Sequence, residues 1–258
     1  MHTLIDTHAH LSGLEGRGID TRQTLADLFS KDNINIIDIS LEPGDLSTRI
    51  HEFSCYNRVH FASGLWPWSL SITNREKMVM ELEKDIIALR KHICALGEFG
   101  LDHNRNHENL EGERELMEMQ MDMAQKLELP VIIHSRDAAK ETAEVLARYP
   151  QVRGVVHCFS YGPTELQSFL RLGYFISFAG NITYKNARNI QEACKAVPPD
   201  KLFLETDCPY LAPVPHRGKP AHPGMVEEVY KKAAEIRETD LPTLAEQIEE
   251  NVKTLFGF

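Results

Sequence analysis

Short apolar runs rich in β-branched residues alternate along this chain with longer amphipathic ones. Eight short runs read as strands, at residues 3–7, 34–40, 60–65, 95–99, 131–134, 154–157, 174–178 and 202–205. The segments between them are long enough for a helix and a turn. Such alternation predicts a parallel sheet with helices packed over it. Several helices carry their own signals. Residues 21–30 place Leu25, Leu28 and Phe29 at helical spacing, and residues 108–127 form a long amphipathic stretch that Pro130 stops. Asn74 is expected to cap a helix reaching Lys91, and Asp137 one reaching Tyr149. Pro163 and Thr164 open a further helix that Gly173 closes, and residues 241–256 carry Leu244, Ile248 and Val252 on one face.

Potential metal ligands fall at the C-terminal ends of these strands: His8 and His10, Glu98, His134, His157 and Asp207. They come from the first, fourth, fifth, sixth and eighth runs. A doubly wound open sheet would feed a site from few strands at one switch point. A closed (β/α)8 barrel gathers the C-terminal ends of all its strands on one face. The length of 258 residues suits a single barrel of ~250. The expected fold is therefore an α/β (β/α)8 TIM barrel, with one domain over residues 1–258.

Composition adds bounds. Charged residues make up 26% and apolar ones 42%, as in an ordinary soluble globular protein. No apolar run approaches the ~18–20 residues that cross a bilayer, so no membrane role is expected. The start MHTLIDTHAHL does not read as a secretory signal. The five cysteines are odd in number and form no C-x-x-C pair, which points to free thiols in a reducing cytoplasm. Cys158 and Cys208 each follow a candidate ligand, and strand alternation would turn them away from the site. The net charge of −10 argues against broad electrostatic capture of nucleic acid. A phosphodiester held locally by bound cations and a few arginines stays open.

His8 and His10 are two apart and share one face of an extended strand, where they can chelate one cation. Glu98 ends its strand between two glycines; it is either a carboxylate able to bridge two metals or a solvated loop residue. Asp102 stands behind it as a supporting or capping group. His134 and His157 each follow a nearly pure apolar run. Arg136 either holds a substrate phosphate or pairs with a carboxylate. Asp207 shares the face of Glu205 on this reading. Asp207 would bind a metal and take a proton from the attacking water, while Glu205 would orient a ligand or form a buried ion pair. Four imidazoles and two carboxylates suit a pair of divalent cations ~3.5–4 Å apart. Mg, Mn and Zn are the candidate ions, and imidazole ligands suit Zn, Fe, Mn or Ni better than Mg alone.

The segments DTHAHL, GEFGLD, the HSR after Val131-Ile132-Ile133, HCFS, SFAGNITYKNA and ETDCPYLAPVPHRGK resemble the TatD-type metal-dependent deoxyribonucleases, in order and over essentially the whole chain. The resemblance implies an amidohydrolase-like barrel with a divalent metal pair. It places His8 and His10 as first-strand ligands, Glu98 as the bridging carboxylate, and His134 and His157 as ligands of the second metal. Asp207 becomes the ligand and base after the last strand. Hydrolysis of phosphodiester bonds at DNA ends is the implied activity, often as a 3′→5′ exonuclease. The sequence does not name the oligomeric state, and a monomer is the expectation. Arg136, Lys185, His216 and Arg217 would hold phosphate oxygens.

Two departures from the family pattern bear on substrate. Gly64-Leu65-Trp66-Pro67-Trp68 stands where members commonly show G-x-H-P-H or G-x-H-P-W, so Trp66 replaces a histidine. Trp66 or Trp68 offers a stacking surface for a base, or packs the loop. His222 stands where a glutamate is common. Two other classes remain open: a metal-dependent esterase or amidohydrolase acting on a small substrate, and a non-catalytic metal-binding scaffold. The absence of a lysine at the fourth strand disfavours the carbamylated subset of the first, and the complete ligand set disfavours the second.

Overall fold

The computed structural model describes residues 3–31, 33–40, 42, 44–105 and 109–258. Eight strands follow in order: β1 (Leu4–Ala9), β2 (Ile34–Ser40), β3 (Val59–Ser63), β4 (Ile93–Asp102), β5 (Val131–Arg136), β6 (Gly154–Val156), β7 (Phe175–Phe178) and β8 (Leu202–Leu204). They form one sheet in the order β1 to β8, the order of a parallel (β/α)8 barrel. Among the described residues ten α-helices accompany them: α1 (Thr21–Lys31), α2 (Leu46–Phe53), α3 (Ser69–Thr73), α4 (Arg75–Ala88), α5 (Leu110–Leu127), α6 (Ala139–Leu146), α7 (Pro163–Arg171), α8 (Arg188–Ala196), α9 (Val226–Arg237) and α10 (Leu241–Phe256).

The chain divides into two compact units. One comprises Met1–Asp38, Cys158–Leu166 and Ile176–Phe258, and the other Ile39–His157 and Gln167–Phe175. In the first, β1 pairs in parallel with β2 and β7 with β8. A parallel bridge between Ala9 and Cys208 ties β1 to the chain just beyond β8. The buried Tyr230 hydroxyl of α9 accepts from Ile5 N (3.2 Å) and donates to Ile5 O (3.1 Å), which fixes β1 against the helix. Helix α10 is capped by Asp240, whose carboxylate accepts from Thr243 N, and it ends at Gly257 in the left-handed region. Its buried stripe of Leu244, Ile248 and Val252 is the expected one. Asn251 donates to Pro199 O and Leu202 O and so anchors the start of β8.

In the second unit, β3, β4, β5 and β6 pair in parallel. Helix α5 is capped by Asn109, which accepts from Gly112 N; Glu108, the expected first residue, lies outside the described residues. The buried amide of Gln120 on α5 accepts from Leu65 N (2.8 Å) and donates to Leu65 O (3.0 Å). That pair pins the turn after β3 to the helix.

Two expected caps are corrected. Asn74 sits at the start of α4, but its side chain donates back to Leu70 O, closing α3 instead. Asp137 has φ 53° and accepts from Asn104, so α6 begins at Ala139 without it. Helix α6 also ends at Leu146 rather than Tyr149; the last turns tighten before Pro150, which cannot continue a helix. Helices α2, α3, α8 and α9 carried no individual sequence signal beyond the length of their segments.

Replacing Gln120 with leucine is expected to lower unfolding stability by about 2 kcal/mol, because two buried backbone groups of Leu65 lose their partners. Urea denaturation measures it. A loss no larger than that of the exposed control Gln23→Leu would contradict the role.

Candidate metal centre

The second unit builds one set of donors where β4 lies against β5. Gly97 and Gly100 flank Glu98 at φ 154° and 155°. A Cβ on Gly97 would stand 2.7 Å from Ile132 Cβ, and one on Gly100 only 1.9 Å from His134 O. Glycine at both places is what lets the two strands approach. Gly97 pairs with Ile132 and Phe99 with Ile133, so Glu98 is the extra residue of a bulge. A bulge re-aims its side chain, which brings the Glu98 carboxylate to His134 and His157.

These three side chains converge. Glu98 Oε1 lies 3.0 Å from His134 Nδ1 and 3.0 Å from His157 Nε2. The two ring nitrogens are 3.3 Å apart. Donors each bound at ~2.0–2.2 Å to a common cation would stand about 3.0–3.5 Å from one another. The spacing and chemistry of the set therefore fit a divalent ion. Asp102 completes it from behind, its Oδ2 accepting from His134 Nε2 at 3.2 Å. That bond sets the tautomer and leaves Nδ1 facing Glu98 and His157, where it could serve a cation. Asp102 Oδ1 accepts from the backbone of Asn104 and Arg105, so the residue both supports a ligand and caps a turn, as the sequence suggested.

The electrostatics agree with a site built to receive positive charge. Burial presses the His134 imidazole towards neutrality, but its bonds to Asp102 and Glu98 outweigh burial and raise its affinity for a proton. Burial would likewise raise Asp102, but His134 and Arg136 hold it below the ordinary carboxylate range. A bound cation would take the place of that proton.

The first unit builds a second set. His8 Nε2 and His10 Nε2 are 3.2 Å apart, but β1 ends at Ala9, so His10 lies just beyond the strand and strand alternation does not set the pair. Asp207 Oδ1 lies 3.5 Å from His10 Nε2 and 3.9 Å from His8 Nε2. Here too the strand is irregular: the register of β1 shifts between Asp6 and Ala9. Asp207 itself has φ 57°, a left-handed conformation that aspartate tolerates better than most residues. Asp207 N donates to His8 O, which binds the two ligand segments together.

A residue not singled out in the sequence holds this arrangement. Asp6 is fully buried; it accepts from Thr206 N (2.8 Å), Thr206 Oγ1 (2.6 Å) and His8 N (3.3 Å). Burial pushes its carboxyl up to about 8, against the pull of those hydrogen bonds. Asp6 thus clamps the segments that carry His8 and Asp207. In the sequence Asp6 stands two residues before His8, and only the fold brings Thr206 to it.

Other expectations meet mixed outcomes. β8 ends at Leu204, so strand alternation does not govern Glu205 and Asp207, and they do not act as a shared-face pair. Glu205 is fully buried and accepts from Cys158 N at 2.7 Å, fixing the backbone just after His157. Cys158 and Cys208 also lie beyond their strands, so alternation does not orient them either. All five cysteines are free thiols. Arg217 is exposed and stacks over Tyr184, its guanidinium 4.4 Å from the ring centre, while Lys185 next in the chain is exposed. His216 is half-buried in the same loop as Arg217, and Arg136 is exposed at the end of β5. Trp66 is buried, with its ring edge-on to His134 at 5.3 Å.

Among the described residues, no helix is long and apolar enough to cross a membrane. The family model described as TatD related DNase matches residues 5–257. The uncharacterized metal-dependent hydrolase YcfH of Escherichia coli (strain K12) is 34% identical over 260 residues, which cover 98% of this chain and 95% of that protein. The crystal structure of YJJV, a TatD homologue from Escherichia coli, superposes with a TM-score of 0.91 at 28% identity, covering 99% of this chain and 98% of the other. An uncharacterized amidohydrolase from Saccharomyces cerevisiae shares the fold with a TM-score of 0.84 at 17% identity, over 99% of this chain and all of the other. The fold is the (β/α)8 barrel, and the chain belongs to the TatD family of metal-dependent hydrolases.

Proposed function

We propose that the whole chain, residues 1–258, acts as one divalent-metal-dependent deoxyribonuclease domain, hydrolysing phosphodiester bonds at DNA ends in the 3′→5′ direction. In this reading His8, His10 and Asp207 would hold one cation, and Glu98, His134 and His157 would hold a second. The observation that carries it is the convergence of a carboxylate and two imidazoles to 3.0–3.3 Å in one set and 3.2–3.9 Å in the other. Mg, Mn or Zn would serve as the bound ions. Five free thiols fit work in a reducing cytoplasm.

Divalent cations held there would supply Lewis acidity, acidifying water and offsetting the charge that develops on phosphate oxygens. The side chains do the rest. Asp207 takes the proton from the attacking water, whose oxygen bonds to phosphorus. The bond from phosphorus to the leaving sugar oxygen breaks, and that oxygen takes up a proton. Glu98 sets its carboxylate against both His134 and His157. Glu205 acts at one remove by holding the backbone after His157. Arg136, Lys185, His216 and Arg217 lie on or near exposed surface, where they can hold phosphate oxygens, and Trp66 sets its ring edge-on to His134.

The test is a chelator-and-rescue assay with end-labelled single-stranded DNA, RNA and a panel of simple carboxylic esters. We expect DNA cleavage that chelation abolishes and Mn²⁺ or Mg²⁺ restores. Ester hydrolysis without DNA cleavage would replace this reading with a small-substrate esterase. Asp207→Asn and Glu98→Gln should each cost about a hundred-fold or more in kcat while circular dichroism shows an intact fold. Near-normal turnover in either would remove its assigned role.

Asp102→Asn should keep the turn cap through its carbonyl oxygen but lose the acceptor facing His134. Divalent-cation affinity, measured by competition with a metallochromic indicator, should fall about ten- to a hundred-fold. An unchanged affinity would show that Asp102 serves the turn alone.

A further inference from the structure

We infer that Trp68 and Arg105, together with Trp66, form a subsite for an unpaired nucleobase and its phosphate beside His134. The inference deepens the nuclease reading and rests on it for the placement of the scissile phosphate near His134.

The chain has two tryptophans, and both stand in the turn after β3. Gly64 begins that turn; a Cβ there would come within 2.8 Å of the Gly97 and Glu98 backbone, so the turn lies hard against the strand that carries Glu98. Gln120 fixes the next residue, Leu65, through both of its backbone groups. Trp66 is consequently held between His134 and Trp68, with ring centres at 5.3 and 4.3 Å. Trp68 is different. It is 38% exposed, a large apolar surface left open to solvent at the end of a rigid stack.

A cation stands over the same stack. The Arg105 guanidinium lies 5.6 Å from the Trp66 ring and 5.7 Å from the Trp68 ring, and its side chain is exposed. Its position is not accidental to the metal set. Arg105 N donates to Asp102 Oδ1, and Asp102 Oδ2 accepts from His134. One carboxylate therefore orients both a ligand histidine and the turn that presents the guanidinium. An open indole face beside a fixed positive charge suits a planar base attached to a phosphate, since stacking is tolerant of base identity and the cation neutralises the backbone. In a chain of net charge −10, such a local cation is also what an anionic strand needs in order to approach.

The two tryptophans make the test direct, because all tryptophan emission reports on this stack. Full-length protein with Mg²⁺ is titrated with a hydrolysis-resistant phosphorothioate octamer of deoxyadenosine, and separately with an abasic octamer of the same backbone. We expect the adenine strand to quench tryptophan emission strongly and the abasic strand weakly. By anisotropy of labelled strands, Trp68→Ala should weaken adenine-strand binding about ten-fold and leave abasic-strand binding within two-fold of the parent. Trp68→Phe should retain most of the adenine affinity. Arg105→Ala should weaken both strands equally and flatten the salt dependence. Absence of quenching, or an equal effect of Trp68→Ala on both strands, overturns the inference. Cleavage of ordinary DNA by the parent together with either of those results would leave the nuclease reading standing and remove this subsite. Quenching and base discrimination without cleavage would do the reverse.

Discussion

Electron pairs aimed at a common point repel one another unless positive charge lies between them. Glu98, His134 and His157 bring three such donors to within 3.3 Å, and His8, His10 and Asp207 bring three more to within 3.9 Å. Buried carboxylates and imidazoles held this closely are costly as a purely structural arrangement. A proton relieves part of the cost, which is why His134 binds one more readily than burial alone would allow. A divalent ion relieves far more of it. Much of the surrounding structure consists of devices that keep these donors from drifting apart.

Those devices are mostly breaks in regular structure. A regular strand would alternate its side chains between the two faces of the sheet. Here Glu98 sits on a bulge, β1 shifts register around His8, and Asp207 takes a left-handed backbone beyond β8. Each irregularity redirects a ligand, and each is braced. Gly97 and Gly100 allow β4 to press onto β5, Asp6 clamps Thr206 and His8, and Asp102 secures His134. Unusual backbone of this kind persists where the surroundings over-determine it, and it concentrates at sites of chemistry.

The candidate ligands were more legible in the sequence than the groups that hold them in place. His8, His10, Glu98, His134, His157 and Asp207 were visible because polar residues at the ends of apolar strands break an otherwise simple pattern. The barrel followed from the eight-fold alternation and from ligands spread over first, middle and last strands. Asp6 was less visible because an aspartate before a threonine reads as one more strand-end polar group; only the fold brings Thr206 to it. The pairing of Glu205 with Asp207 failed because β8 stops at Leu204, so a period-two argument ran past the end of its strand. Residue type alone makes Asn74 and Asp137 look like caps, whereas Asn74 turns back to Leu70 and Asp137 meets Asn104. Arg105 gave no local signal at all. Its significance arises from a turn that Asp102 holds next to two tryptophans distant in sequence.

The most direct measurement is anomalous diffraction from crystals grown with Mn²⁺. The account expects strong peaks at two places, one among Glu98, His134 and His157 and the other among His8, His10 and Asp207, each about 2.0–2.2 Å from its donor atoms. A well-ordered structure with these side chains in place and no anomalous density at either set would contradict it.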